Sequence, residues 1–133
     1  MIVFDTNVLS EPLRAHPDAR VLAWMRAQSD VAISAISIAE LHEGARRLPE
    51  GRRRSTLIAS IDGILTAGTV LPFAADEARV YGAMHELRRA AGRPLAALDG
   101  MIAATAATRG AALATRNLDD FTGLGLTLVN PWA

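Results

Sequence analysis

Ile2-Val3-Phe4 is a short apolar run that stops at Asp5-Thr6-Asn7, so a buried strand delivers a carboxylate, a hydroxyl and an amide where it ends. Four further segments read as strands: Val31 to Ile33, Thr69 to Leu71, Ala111 to Ala114 and Leu126 to Val129. Helical patterns separate them. Val21, Leu22 and Met25 form one apolar face; Leu57, Ile58, Ile61, Ile64 and Leu65 follow i, i+1, i+4, i+7, i+8. Val80, Met84, Leu87 and Ala91 recur at i, i+4, i+7, i+11. Strands alternating with helices require crossovers, which predicts an α/β fold with a mostly parallel central sheet flanked by helices on both faces.

In such a sheet the strand ends along one edge collect residues far apart in sequence, and chemistry gathers there. Asp5 ends the first strand, and Thr115-Arg116-Asn117-Leu118-Asp119-Asp120 follows the fourth. Glu40 and Asp99 lie near helix starts, Glu40 in a helix from Ser37 to Leu48 and Asp99 opening an alanine-rich helix. Four carboxylates drawn together would repel one another unless a divalent cation sat among them. Taken singly, each acid has an ordinary explanation. Asp5 and Asp99 suit helix caps, Ser37-x-x-Glu40 matches a capping box, and Asn117 to Asp120 suits a turn. Caps do not explain why Thr6, Asn7, Thr115, Arg116 and Asn117 place hydroxyl, amide and guanidinium groups beside the acids.

Composition narrows the chemistry. All fourteen basic residues are arginine, which excludes a Walker-type phosphate loop, a Schiff-base lysine and the lysine of phosphoaspartate enzymes. The formal charge is zero, so a polyanion must be held locally. Candidates are Arg46, Arg47, Arg52 to Arg54, Arg88, Arg89, Arg93 and Arg116, the last equally suited to a surface ion pair with Asp119 or Asp120. Cysteine is absent, so no disulfide or thiolate zinc site exists. No run approaches the length of a membrane span or a signal peptide, and the expected location is the cytoplasm. Residues 1–133 read as one domain, since no stretch looks like a linker or repeat. His16, His42 and His85 are too scattered for a metal triad, and His42 reads as part of a solvated face. Trp24 and Trp132 read as packing residues.

Five segments together resemble a known family: Ile2 to Glu11, Ser34 to Leu41, Leu98 to Ala106, Ala114 to Asn117, and Val129-Asn130-Pro131-Trp132. In order and spacing they resemble the PIN-domain ribonucleases, and within them the VapC toxins, especially the FitB-like branch. The resemblance implies an endoribonuclease using Mg²⁺ or Mn²⁺, a homodimer, and a small DNA-binding antitoxin that holds it inactive and can insert an arginine into the acidic pocket. The family's acids fall on Asp5, Glu40 and Asp99, with Thr6 beside the first. The fourth position is split: FitB-like members can carry an acid directly after Thr-Arg, where this chain has Asn117, and many VapC relatives carry it before Phe, where this chain has Asp120. Asp120 takes the role, Asn117 becomes a polar neighbour, and Asp119 is the fallback.

Two competitors remain. A haloacid-dehalogenase-like phosphohydrolase also ends its first strand in aspartate but needs a second two residues on, where Asn7 stands, and a lysine. A catalytically silent PIN-like module would bind RNA or a partner without cutting.

Overall fold

The computed structural model describes residues 1–133. Five strands, β1 (Ile2–Phe4), β2 (Val31–Ser34), β3 (Thr69–Leu71), β4 (Ala112–Ala114) and β5 (Leu128–Val129), form one sheet in the order β3-β2-β1-β4-β5. Every pairing is parallel, with Val3 opposite Ala32 on one side and Leu113 on the other. Six helices connect them: α1 (Thr6–Ser10), α2 (Ala19–Arg26), α3 (Ala35–Arg46), α4 (Arg52–Leu65), α5 (Ala75–Ala90) and α6 (Ala97–Thr108).

Alternation along the strands divides the core in two. Val3, Ala32 and Leu113 face a cluster built on Met84 of α5 and Ile102, Ala103 and Ala106 of α6. Phe4, Ile33 and Ala114 face the opposite cluster, with Val8, Leu9, Leu41 and Ile61. Both faces are therefore covered. The alanines of α6 let it lie close to the sheet, and Gly100 lets it lie close to α5: a Cβ there would come within 2.8 Å of Tyr81 Cε2.

Several boundaries differ from the sequence reading. Helix α3 begins at Ala35 because Ser34, the last residue of β2, caps it by accepting from the Ile36 N–H at 3.1 Å. Ser37 and Glu40 are therefore inside the helix and form no capping box. Asp99 lies in the first turn of α6 and is not its cap. Strand β5 is only two residues long, because Gly123 and Gly125 both take positive φ and keep the chain turning before Leu128. The apolar faces of α4 and α5 are largely spent on the two cores, and of their residues Leu87 remains more than half exposed.

Candidate active site

Strand β1 is central, and the chain runs outward from it to β2 and β3 before returning to β4 on the other side. The sheet's switch point thus lies between the ends of β1 and β4, where a parallel sheet opens a crevice. Asp5 leaves β1 and Thr115 leaves β4 at this point. The two are locked together: the Asp5 N–H donates to Ala114 O at 2.9 Å, and Thr115 Oγ1 donates to Asp5 Oδ2 at 2.7 Å. Asp5 Oδ1 accepts from the Thr6 N–H at 2.8 Å, so the same carboxylate caps α1. Capping thus occupies one oxygen of Asp5, and the bond to Thr115 at the crevice occupies the other.

Glu40 reaches the site through Thr6. Thr6 Oγ1 lies 2.8 Å from Glu40 Oε1 and 3.0 Å from Ser37 Oγ. Its single proton suits the carboxylate, leaving its lone pairs for the serine hydroxyl. Ser37 is fully buried, and this contact is the role that the sequence reading missed. The signal was available in the i, i+3 spacing of Ser37 and Glu40, which puts both on one helical face.

Burial is the largest influence on Asp5 and raises its pKa, with the Thr115 and Thr6 hydrogen bonds acting in the opposite sense and the charge of Asp120 adding to the rise. Asp99 is pushed up to about 6, first by burial and then by the charges of Asp5, Asp120 and Glu40. The acid of the 117–120 segment whose charge reaches both Asp5 and Asp99 is Asp120. Asn117 is exposed and uses its N–H to donate to Thr115 Oγ1 at 3.1 Å.

The four carboxylates form an all-oxygen donor set whose like charges work against one another, the setting in which a hard divalent cation is most favoured. No three acidic or histidine side chains close on a common point as a pre-formed cage would. Mg²⁺ takes one or two carboxylates and keeps several waters, and an open arrangement fits that mode. Elsewhere, the buried Glu11 is spent on structure, accepting from the Asp18 N–H at 2.9 Å and pairing with Arg14.

The surrounding polar groups hold the crevice in shape. Asn7 Oδ1 accepts from the Arg116 N–H at 3.2 Å, tying α1 to the segment after β4. Asn7 therefore occupies, as a structural tie, the position where a haloacid-dehalogenase-like enzyme needs its second aspartate. The Arg116 guanidinium makes no ion pair with Asp119 or Asp120 and lies 5.1 Å from the centre of the Trp132 ring. Four other arginines expected to be free for nucleic acid are engaged. Arg47 pairs with Glu43, Arg88 is buried against backbone carbonyls, Arg89 pairs with Glu86, and Arg93 bonds Thr122 and Asp119. His42 is not simply solvated, since its Nε2 lies 3.0 Å from Asp62 Oδ1 and links α3 to α4.

A second concavity lies apart from the acids. It is an open groove of about 1110 Å³ whose lining includes Leu13, Leu48, Arg52, Arg53, Leu57 and Ile64.

Residues 2–124 match the PIN domain family model. The chain is 42% identical to VapC ribonuclease Y4jK of Sinorhizobium fredii, covering 99% of this chain and 98% of that protein. It is 39% identical to Toxin FitB of Neisseria gonorrhoeae, covering 99% of each. The solved structure of FitAB bound to IR36 DNA fragment superposes with a TM-score of 0.92 at 38% identity, over 100% of this chain and 96% of that one. The chain thus belongs to the PIN-domain family, in its VapC/FitB branch of toxin–antitoxin toxins.

Proposed function

We propose that the chain is a metal-dependent endoribonuclease, the toxin of a type II pair, in which Asp5, Glu40, Asp99 and Asp120 hold Mg²⁺ or Mn²⁺ and RNA is the substrate. The observation that carries this reading is the gathering of acids at the switch point: Asp99 is pushed up to about 6, first by burial and then by the charges of Asp5, Asp120 and Glu40. A protein gains nothing in stability from such a cluster; a bound cation offsets it.

In this reading Asp5 and Asp99 are direct ligands, and Glu40 and Asp120 act directly or through water. When bound, the ion supplies the Lewis acidity that activates water and offsets charge on the phosphate. The chain's own residues do the rest. Thr115 and Thr6 fix the rotamers of Asp5 and Glu40 by the hydrogen bonds described, and Asn7 holds Arg116 at the crevice rim. Arg116, free of any carboxylate and steadied by Trp132, contacts a phosphate at or beside the scissile bond.

The groove between α3, α4 and the turn at Glu11–Leu13 suits a small antitoxin. Its lining joins apolar Leu13, Leu48, Leu57 and Ile64 to Arg52 and Arg53, which have no ion-pair partners. Support comes from the FitAB likeness, and a basic side chain of the same partner suits the acidic crevice. A homodimer belongs to the same proposal, with Leu87 and Val70, 54% and 46% exposed, as apolar groups left for it. No helix is long and apolar enough to cross a membrane, in keeping with action in the cytoplasm.

The test is cleavage of defined RNA by the purified chain with Mg²⁺ or Mn²⁺, with EDTA, and with Asp5→Asn. Cleavage that needs the ion and disappears in a folded Asp5→Asn variant is expected. The silent-module reading, which the lack of a pre-formed cage favours, predicts RNA or partner binding with no cutting in any of these conditions.

A further inference from the structure

Arg88, on α5, is 6% exposed, yet no carboxylate pairs with it. Taking a guanidinium out of water is costly unless its N–H groups are used. Here they go to neutral acceptors. Nε donates to Arg93 O at 2.8 Å, and Nη1 donates to Asp120 O at 2.9 Å and Thr122 O at 3.2 Å. The spread, rigid fork of the guanidinium lets separate nitrogens reach acceptors on two stretches of chain at once. Arg93 adds to the hold, with Nη1 donating to Thr122 Oγ1 at 3.1 Å and Nη2 to Asp119 O at 3.2 Å.

The segment held this way is anchored from inside by Phe121, which is 1% exposed in the core, but Asp120 beside it has no such anchor. Asp120 ends the single 3-10 turn Leu118–Asp120, which has no side-chain cap, and the aspartate is exposed. The same helix also packs beside the residue that follows Asp99. Tyr81, about two turns before Arg88 on α5, packs so tightly against Gly100 that no side chain fits between them. Helix α5 therefore touches the neighbour of one carboxylate and grips the backbone of another.

We propose that Arg88, assisted by Arg93, is a positioning residue that sets Asp120 against Asp99 and thereby tunes the affinity of the acidic crevice for a divalent cation. This rests on the reading of Asp120 as the fourth carboxylate. Arg88 does not touch the cation; it acts through the main chain of residues 119–122. Supporting contacts of this kind change metal affinity by about 10- to 100-fold when removed.

The experiment is calorimetric titration of the purified chain with Mn²⁺, with thermal melts as a separate measure of folding, for Arg88→Lys, Arg93→Gln, Asp120→Asn and both double variants with Asp120→Asn. Arg88→Lys and Asp120→Asn are each expected to weaken Mn²⁺ binding about tenfold. The Arg88→Lys loss should vanish in the Asp120→Asn background, because the two act on one contact. A lowered melting temperature with unchanged Mn²⁺ affinity in Arg88→Lys overturns the proposal, and so do losses that simply add in the double variant. Unchanged affinity in Asp120→Asn alone overturns the reading of Asp120 itself, a distinct failure. If Arg88→Lys does not fold, Arg93→Gln decides by the same comparison.

Discussion

Thr115 Oγ1 donates to Asp5 Oδ2 at 2.7 Å while accepting from the Asn117 N–H at 3.1 Å, so one buried hydroxyl joins the ends of two neighbouring strands to the loop that carries the last acids. Thr115→Val keeps the shape and removes both functions. It should cost about 1–3 kcal/mol at neutral pH, since a buried carboxylate loses its donor. The lost bond is to the ionised form, so the Asp5 pKa rises further and the penalty shrinks as pH falls. Urea melts of both proteins at pH 5 and pH 7.5 check this.

Asp99 gives the metal-free protein a distinctive pH response. Its folded pKa, about 6, lies above the ordinary carboxylate value of 3.8, so between these values the folded state binds more protons than the unfolded state. Its contribution to stability therefore falls as pH rises from about 4 to 6, by about 1–3 kcal/mol. In EDTA, Asp99→Asn should be the more stable protein at pH 7.5 and lose that advantage near pH 4. Saturating Mg²⁺ should reverse the order at pH 7.5. Differential urea melts of the two proteins read this directly.

Gly100 is required by its neighbours and not by its backbone, since a Cβ would meet Tyr81 Cε2 at 2.8 Å and Leu95 Cδ2 at 2.9 Å. Gly100→Ala should cost about 1–3 kcal/mol through overpacking between α5 and α6. It should also depress cleavage by shifting Asp99, and calorimetry together with a cleavage assay separates the two effects.

The strands were legible in the sequence because each is a short, largely apolar run, four of the five ending at a polar group and Thr69–Leu71 at Pro72, and Ile2 to Phe4 needs no other information. The first turn of α3 was not, because Ser37 and Glu40 satisfy a local capping pattern while the strand runs straight into the helix and leaves the cap to Ser34. Of the candidate site, the acids and Thr6 could be named from strand ends and spacing. The fate of the arginines could not. Arg88 is buried by carbonyls at residues 120 and 122, and no pattern around position 88 encodes that meeting.

Arg116 is expected to matter for RNA and little for folding. It is exposed, and its guanidinium lies over Trp132. Arg116→Ala should weaken RNA binding, reduce its salt dependence by about one counterion, and change stability by less than about 1 kcal/mol. Trp132→Phe should weaken binding less than Arg116→Ala does. Fluorescence anisotropy across a salt series, in an Asp99→Asn background expected to be inactive in cleavage, measures each.

The groove away from the acids is lined from Pro12 to Ile64, whereas the acids stand at 5, 40, 99 and 120. A ribosome making this chain thus translates every groove residue before it reaches Asp99 and Asp120. With the groove as the proposed antitoxin's seat, the order of residues along the polypeptide completes the docking segment before the proposed cutting chemistry can be assembled.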